Sequence, residues 1–521
     1  MFKRALVSTS DKTGLVEFLQ PLVASGCEVV STGGTSQFLR KNGLKVTEVS
    51  EVTGFPEVMD GRVRTLHPHI HMGLLARSEV SEDWELLEKH GVKSFDLVVV
   101  NLYPFEESFK RGLRGAELIE QIDIGGPSLL RASAKSHERV TVVCDPQDYS
   151  QVLKHANEGS LDKSFRQRLA VKVFEHCAFY DSIVAQALNT QSWDESPTMT
   201  IPLRRKQKLR YGENPHQKAV WYESPFPQSL SLSQAKQWQG KELSYNNILD
   251  LEAAVAVVAD FEGPVCAIIK HLTPCGVACD KNGVEAYRRA FEADPVSAFG
   301  GIVALNSPLT EELAEQLVGP FLECVMAPHV ESKALERLAS KKNLRVLTLE
   351  TLHPQNRKTA NGVGPNLNLE IKSLRGGGLV QTADGPFEWN PAWKIIGAVP
   401  DEKIKADLVF AQKVVRHVKS NAIVVAKNGQ TLGICGGQTN RVDSVKWALE
   451  RAQGRAQGKI DNLILGSDAF FPFRDSIELA AKSNVTWIIQ PGGSLRDSEV
   501  EAAAKERGIN MVITGVRHFK H

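Results

Sequence analysis

The sequence predicts an α/β protein of at least two domains, and three observations carry that expectation. Apolar runs of strand length alternate with amphipathic stretches of helical period from the first residues onward. Strand-to-helix junctions carry paired glycines, as at Gly33-Gly34 and Gly125-Gly126. The 521 residues exceed one ordinary core, so two to four domains are expected. Lys and Arg number 62 against 61 Asp and Glu, so no global field draws the chain to nucleic acid or membrane, and any anion site has to be local. The start, MFKRALVSTSDK, has too short an apolar core for a signal peptide, and no run approaches a membrane span. Eight scattered cysteines read as reduced core residues, and a cytoplasmic location follows as an expectation.

The first domain is expected over residues 1–197. RALVS reads as a strand, followed by Thr9–Gly14 and the amphipathic LVEFLQPLVASG. CEVVS is a second strand, ending in Thr32, Gly33, Gly34 and Thr35, which open the helix SQFLRKNG. Glycines there let backbone amides approach an anion, and the helix dipole favours phosphate; a tight turn without ligand fits the same residues. In DGRVRTLHPHIHMG, Arg62 and Arg64 share a face if the backbone is extended, placed to grip a phosphate. His67, His69 and His71 alternate too, but no carboxylate or cysteine flanks them closely and Pro68 interrupts, so no metal is expected. DLVVVNLYPF is a strand carrying Asn101 and Tyr103 to its end, Tyr103 either as a core ring or as a ligand-facing phenol. In EQIDIGGPSLLRASAK, Asp123 precedes the glycines, Pro127 is a favoured first helical residue, and Arg131 and Lys135 lie four apart on one face. The strand VTVVCD and a helix from about Phe165 to Leu188 close the domain, and the polar NTQSWDESPTMT reads as a linker.

The second domain is expected over 198–521. LRYGENPHQ sets Arg210 and Tyr211 beside a turn made by Gly212, Asn214 and Pro215. The helix DLEAAVAVVADF leads to PVCAIIKHLTPCGVA, whose apolar run is a buried strand. It stops at Lys270 and His271, and Pro274 and Gly276 then break the chain. Past a strand's carboxyl end, a cation can stabilise an oxyanion and an imidazole can move a proton; a solvated loop is the plain alternative. After a helix near Val284–Ala293, DPVSAFGGIVALN places Phe299, Gly300 and Gly301 before a strand, with Phe299 either stacking on a flat ring or in the core. ECVMAPH places Glu323 before an apolar run, and residues 351–394 read as irregular. SNAIVVAKNGQTLGICGGQTNR reads as a hairpin turning at Asn428-Gly429, with Asn421 at its start and Gly436, Gly437 and Arg441 at its end. ILGSDAFFPFRDSIELAA sets Ser467, Asp468, Phe470, Phe471 and Asp475 between strand and helix, and the last strands, VTWIIQPGG and NMVIT, finish with Arg517. AIIKH with SAFGGIVAL echoes AIVVAK with SDAFFPF, a hint of two related subdomains.

Taken in order, STSDKTGLVEF, STGGT, GRVRTLHP, NLYPF, EQIDIGGPSLLRASAK, LRYGENPHQ, IIKHLTPCG, SAFGG, AKNGQ and SDAFFPFRDS cover both halves. Together they resemble the bifunctional AICAR formyltransferase/IMP cyclohydrolase family of purine biosynthesis. The resemblance implies a methylglyoxal-synthase-like first domain and a cytidine-deaminase-like second region of two subdomains without zinc. It implies a homodimer with shared transformylase sites and 10-formyltetrahydrofolate as cosubstrate. His271 would take the proton from the AICAR amine and Lys270 would stabilise the collapsing intermediate. Arg210, Tyr211, Asn421 and Arg517 would hold AICAR, with Phe299, Gly300 and Glu323 nearby, and Arg441, Phe470, Asp475 and Ser494 would serve the folate or complete the shared site. For ring closure it implies Lys135 as main proton-transfer residue, assisted by Tyr103 and Asp123. Ser10, Lys12, Thr32, Gly33, Gly34, Thr35, Arg62, Arg64, Thr65, Asn101 and Gly125 would cradle the nucleotide. The family usually has lysine where this chain has Arg64, and arginine keeps the charge but hardly gives up a proton.

Two other classes compete. A nucleotide-binding regulatory protein would keep the pockets without chemistry, yet Lys270 with His271 and Lys135 with Tyr103 are all present. A zinc hydrolase needs H-x-E and P-C-x-x-C, whereas PCGVAC has one residue too many between its cysteines.

Overall fold

A computed structural model describes residues 2–359, 369–455 and 461–521. The chain divides into two units, the first ending at Leu203 and the second beginning at Arg204. The first holds five strands, β1 (Arg4–Ser8), β2 (Glu28–Ser31), β3 (Thr47–Glu48), β4 (Leu97–Val100) and β5 (Thr141–Val143). They form a parallel sheet in the order β3-β2-β1-β4-β5. Every residue of β4 is buried, as a parallel strand covered on both faces must be. Its helices include α1 (Gly33–Lys41), α2 (Gly125–Lys135) and α3 (Lys163–Leu188). No described helix is long and apolar enough to cross a membrane. From β1 the chain winds outward through β2 to β3, whereas β4 and β5 lie on β1's other side. The boundary between β1 and β4 is therefore a switch point, where open parallel sheets leave a crevice beyond the strand carboxyl ends.

The second unit begins with a ribbon, β6 (Arg204–Leu209) with β7 (Ala219–Glu223). Six strands follow: β8 (Lys236–Gln239), β9 (Val265–Lys270), β10 (Thr273–Cys279), β11 (Gly301–Leu305), β12 (Leu322–Ala327) and β13 (Arg345–Thr348). A second ribbon pairs β14 (Leu369–Leu374) with β15 (Gly377–Thr382). Six more strands complete the sheet: β16 (Lys394–Ile396), β17 (Ile423–Lys427), β18 (Gln430–Cys435), β19 (Leu463–Ser467), β20 (Val485–Gln490) and β21 (Asn510–Ile513). The order is β16-β21-β20-β19-β17-β18-β10-β9-β11-β12-β13-β8.

Read outward from the β10–β18 seam, the two halves are the same. Each has a hairpin, an antiparallel neighbour, two further parallel strands and an antiparallel edge strand. Even the bulge recurs, before Gly276 in β10 and near Gly433 in β18. Helices α4 (Tyr245–Ala259) and α6 (Glu402–Val415) pack on β9 with β11 and on β17 with β19. Helices α5 (Gly283–Ala293) and α7 (Arg441–Arg455) pack on the two hairpins. Two apolar layers result, and alternate residues of β9 serve them: Ala267 and Ile269 meet α4's layer, Cys266 and Ile268 meet α5's. That double burial is why the strand reads as an unbroken apolar run.

Three sequence expectations need correction. The chain around Arg62 and Arg64 is not extended but turns through Met59–Gly61, and a helix covers Pro68–Leu75. Pro68 is its first residue and His67 its cap, so the histidine alternation has no strand beneath it. Within 351–394 a helix at Pro354–Thr359 and the β14–β15 ribbon are regular, and β16 begins at Lys394. The ribbon escaped notice because both faces are largely exposed, leaving no core stripe; residues 360–368 lie outside the described residues. Finally, Pro274 and Gly276 belong to β10, and the chain turns earlier, at His271-Leu272.

A Cβ at Gly276 would run into the Ala290 carbonyl of α5, and one at Gly433 into the Ala448 carbonyl of α7. Gly276→Ala and Gly433→Ala should each cost about 1–3 kcal/mol, the usual penalty of overpacking. Gly263→Ala, with nothing within 4 Å, should stay within about 0.5 kcal/mol. Urea unfolding midpoints at unchanged slope are the measurement.

Candidate functional sites

In the first unit, three loops meet beyond β1, β2 and β4. Asn101 Oδ1 accepts from the Ser10 and Asp11 amides at 2.7 and 3.0 Å, and its Nδ2 donates to Asp11 O at 2.8 Å. Thr35 Oγ1 accepts from Thr9 N at 3.1 Å and donates to Thr9 O at 2.9 Å. These bonds tie the switch-point loops into one cradle. Helix α1 enters it with no side-chain cap on Thr32, leaving its first-turn amides for an anion. Gly33 has φ +54° and lies against the Arg64 guanidinium, which pairs with Glu57. Lys12 Nζ donates to Ser10 O at 3.3 Å, within the same loops. Arg62 instead pairs with Glu120 at 2.5 Å, so the two arginines part company. Thr65 is buried beside Gly125.

Asp123 caps α2. Its Oδ1 accepts from Gly126 N at 2.8 Å, its Oδ2 accepts weakly from Tyr103 N at 3.4 Å, and its own amide donates to the Tyr180 hydroxyl at 2.8 Å. The Gly126 amide is therefore taken by this chain's own acid. Burial raises the Asp123 carboxyl above its ordinary range, and the two amide bonds only partly oppose that. Tyr103 is 52% exposed, so it is not a core ring. Lys135 ends α2, roughly 15 Å along the axis from Gly125 at 1.5 Å per residue. Arg131, on the same helix, lies over Phe174 of α3. Lys135 is exposed at that far end.

In the second unit the centre is the β9–β10 turn. Lys270 pairs with Thr273 across a two-residue loop, and both loop residues are left-handed, His271 at φ +53° and Leu272 at φ +64°. Positive φ at both positions is the type I′ hairpin, whose twist matches the strands and which favours Asn-Gly. The duplicate half has that sequence there, Asn428-Gly429, at φ +50° and +66°. Left-handed backbone costs a non-glycine residue roughly 1–2 kcal/mol, so His271-Leu272 is strained where its counterpart is relaxed. Leu272 N donates to Asp250 Oδ1 at 2.7 Å, a charge-assisted bond of about 1.5–3 kcal/mol that offsets much of one residue's strain.

Around the turn lies a cleft of about 450 Å³ lined by Arg210, Tyr211, Asn247, Asp250, Lys270, His271, Gly300, Phe321, Glu323 and Arg345. The Lys270 ammonium donates to Phe299 O, which fixes it over the cleft floor. Gly300, at φ +72°, donates its amide to Phe321 O at 2.7 Å. Phe299 is 61% exposed, with its ring 5.2 Å from that of Phe321, so it is no core residue. Glu323 Oε2 accepts from Asn247 Nδ2 and Arg345 Nη1, both at 3.2 Å.

The other residues assigned to this chemistry lie elsewhere in the unit. Arg441 is buried, with Nη1 on Asp468 Oδ1 at 2.5 Å and Ser467 Oγ at 2.8 Å, and Nη2 on Asn421 Oδ1 at 2.8 Å. It therefore orients Asn421. Ser494 donates its amide to Asp497 beyond β20, Arg517 stacks on Phe519 beyond β21, and Phe470 and Asp475 follow β19. β19 ends at the same sheet edge as β9, four strand spacings away, roughly 19 Å. Among the described residues no group of His, Cys, Asp and Glu is placed to hold a metal.

Sequence reasoning missed Asn247, Asp250 and Arg345. The available signal was Ser244-Tyr245-Asn246-Asn247, a capping box that starts α4 one turn earlier than expected and turns Asp250 to the cleft.

A family model described as AICARFT/IMPCHase bienzyme matches residues 133–451, and one described as MGS-like domain matches residues 14–128. The chain is 48% identical over 525 residues to the bifunctional purine biosynthesis protein PurH of Enterococcus faecalis, covering all of both chains. It is 50% identical to the protein of that name from Bacillus cereus over 525 residues, again covering all of both. The Bacillus subtilis protein is 48% identical over 523 residues, covering 100% of this chain and 99% of its own.

A carboxyl raised by burial supports the fold fully below its unfolded value and loses that support as pH rises through the folded value. Asp123→Asn should therefore gain on the parent as pH rises. Thermal melts at pH 4 and pH 7.5 check this, and a difference independent of pH would count against a buried charge.

Proposed function

The chain belongs to the AICARFT/IMPCHase bienzyme family, and from that premise we propose which crevice performs which step and with which residues. The protein is a bifunctional enzyme of purine biosynthesis, joining AICAR formyltransferase to IMP cyclohydrolase. Formyl transfer falls to the second unit, and 10-formyltetrahydrofolate is the donor. The AICAR amine is a weak nucleophile because its lone pair is conjugated with the ring, so its attack has to coincide with loss of a proton. His271 takes that proton, and the Lys270 ammonium stabilises the oxyanion as the formyl carbon bonds to nitrogen and parts from the folate nitrogen, which the proton finally reaches. Arg210 and Tyr211 hold the ribotide, with Gly300 and Glu323 beside it. The observation that carries the assignment is the left-handed turn, which sets Lys270 and His271 on one cleft with those four residues.

Asn421, Phe470, Asp475, Ser494 and Arg517 complete the transformylase site from a second copy of the chain. Support comes from spacing: β19, which Phe470 and Asp475 follow, lies roughly 19 Å from β9 along the sheet, and β20 and β21, which Ser494 and Arg517 follow, lie further still, too far for one copy to close on one substrate. A homodimer with shared sites is therefore the proposed assembly. A cytoplasmic setting agrees with eight free cysteines, of which Cys144 and Cys324 have thiols pushed up to about 12 by burial.

Ring closure falls to the first unit. The carboxamide nitrogen attacks a formyl carbon of the same molecule, so proximity is supplied and what remains is folding the substrate and moving protons. The loops of Ser10, Lys12, Thr32, Gly33, Gly34, Thr35, Thr65 and Asn101 cradle the nucleotide, with Arg64 as a charge contact. Tyr103 and Asp123 move protons at its edge, Asp123 being the group whose burial favours holding one. They assist Lys135, the main proton-transfer residue of this reading.

His271→Ala should lower transformylase turnover by roughly 10²-fold or more, the scale of a lost general base, while supplied formyl-AICAR still cyclises. A fragment ending at Leu203 should cyclise and not formylate. Assaying AICAR with 10-formyltetrahydrofolate and detecting IMP reads both steps, and equal loss of both in His271→Ala would contradict separate sites.

A further inference from the structure

We infer that Asp250 is a positioning residue for formyl transfer, pinning the left-handed turn that holds His271 on the substrate cleft. The inference rests on the proposed role of His271.

The duplication supplies the argument. Asp250 is the sixth residue of α4 and Asp407 the sixth of α6, and each carboxylate reaches the hairpin that its helix precedes. Asp407 takes both amides of its turn, Asn428 N at 2.8 Å and Gly429 N at 2.6 Å. Asp250 takes Leu272 N at 2.7 Å. The same helix position therefore clamps the same turn twice. In one half the turn is built from residues that adopt it readily; in the other it is built from His271 and Leu272, which do not. Packing does not hold the strained copy, since Leu272 is 47% exposed. Thr273 Oγ1 reaches only the His271 carbonyl, at 3.4 Å. Without Asp250 the Leu272 amide is free to leave φ > 0, and the imidazole swings with it.

Steady-state kinetics of both steps in the full chain test this. Asp250→Ala should lower transformylase kcat by about 10²-fold, the cost of an ångström-scale misplacement, with a much smaller change in the KM for AICAR and no loss of cyclisation. Adding Leu272→Gly should restore at least about tenfold, because glycine enters the turn without strain. Asp250→Asn, which keeps the acceptor oxygen, should retain most of the activity. Asp407→Ala should lower the melting temperature and leave kcat alone. Failure of Leu272→Gly to restore turnover would mean that Asp250 acts on substrate directly and would overturn the inference, as would full activity in Asp250→Ala. Should Asp250→Ala not fold, the turn itself is the handle: Leu272→Val, β-branched and costlier at positive φ, should lose turnover and Leu272→Gly should not, and equal rates for the two would overturn it. Full activity in His271→Ala would instead sink the assignment of the site.

Discussion

Two residues of left-handed backbone, His271 and Leu272, govern what the second unit can present to a substrate. A two-residue type I′ loop is the tightest reversal compatible with strand twist, so it fixes the imidazole relative to the sheet as a longer loop would not. Lys270, one residue earlier, is still in β9 and inherits the register of the strand. The pair is thus rigid for different reasons, one side chain by sheet pairing and the other by a strained turn. Strain is tolerable here because it is confined to two residues and opposed by a carboxylate on a helix packed against the same strand.

The duplicated sheet explains how such a turn could be built at all. Each half supplies a hairpin, a bulge, a glycine under a helix carbonyl and an aspartate reaching back from the preceding helix. Given that frame, the turn holds whether its residues suit it or not. The halves then diverge in what they carry. One replaces Asn-Gly by His-Leu and opens a polar cleft. The other keeps the easy turn and carries instead the buried Arg441–Asp468 pair, whose guanidinium also donates to Ser467 and Asn421.

How much of this the sequence disclosed follows from the same physics. Buried strands such as Val265–Lys270 and Ile423–Lys427 announce themselves as apolar runs, and the Asn428-Gly429 turn announces itself by composition. The equivalent turn at His271-Leu272 is silent, because nothing in a His-Leu pair signals positive φ, and Pro274 and Gly276 drew attention past it. The β14–β15 ribbon is silent for want of a buried face. Arg62 and Arg64 misled because period-two spacing speaks only if the chain is extended, and Gly61 at φ +82° bends it first. Lys135 shows a further limit: residues ten apart on one helix look adjacent in a motif and stand at opposite ends of the element.

On the proposed assignment, the two crevices differ in the way their reactions require. Ring closure joins two parts of one molecule, so its site needs little more than a shaped cradle. A parallel sheet offers that cheaply at a switch point, where helix termini and loop amides converge without backbone strain at the acid, Asp123. Formyl transfer joins two molecules through a reluctant amine, so base and cation have to stand ready on one edge before either substrate is productive. An antiparallel hairpin in mid-sheet can set two successive side chains at such an edge, but successive residues of a strand point apart. Only a reversal of the backbone between them lets both address one cleft. The left-handed turn is that reversal, and the strain at His271 and Leu272 is the structural cost of placing two neighbouring residues on one cleft.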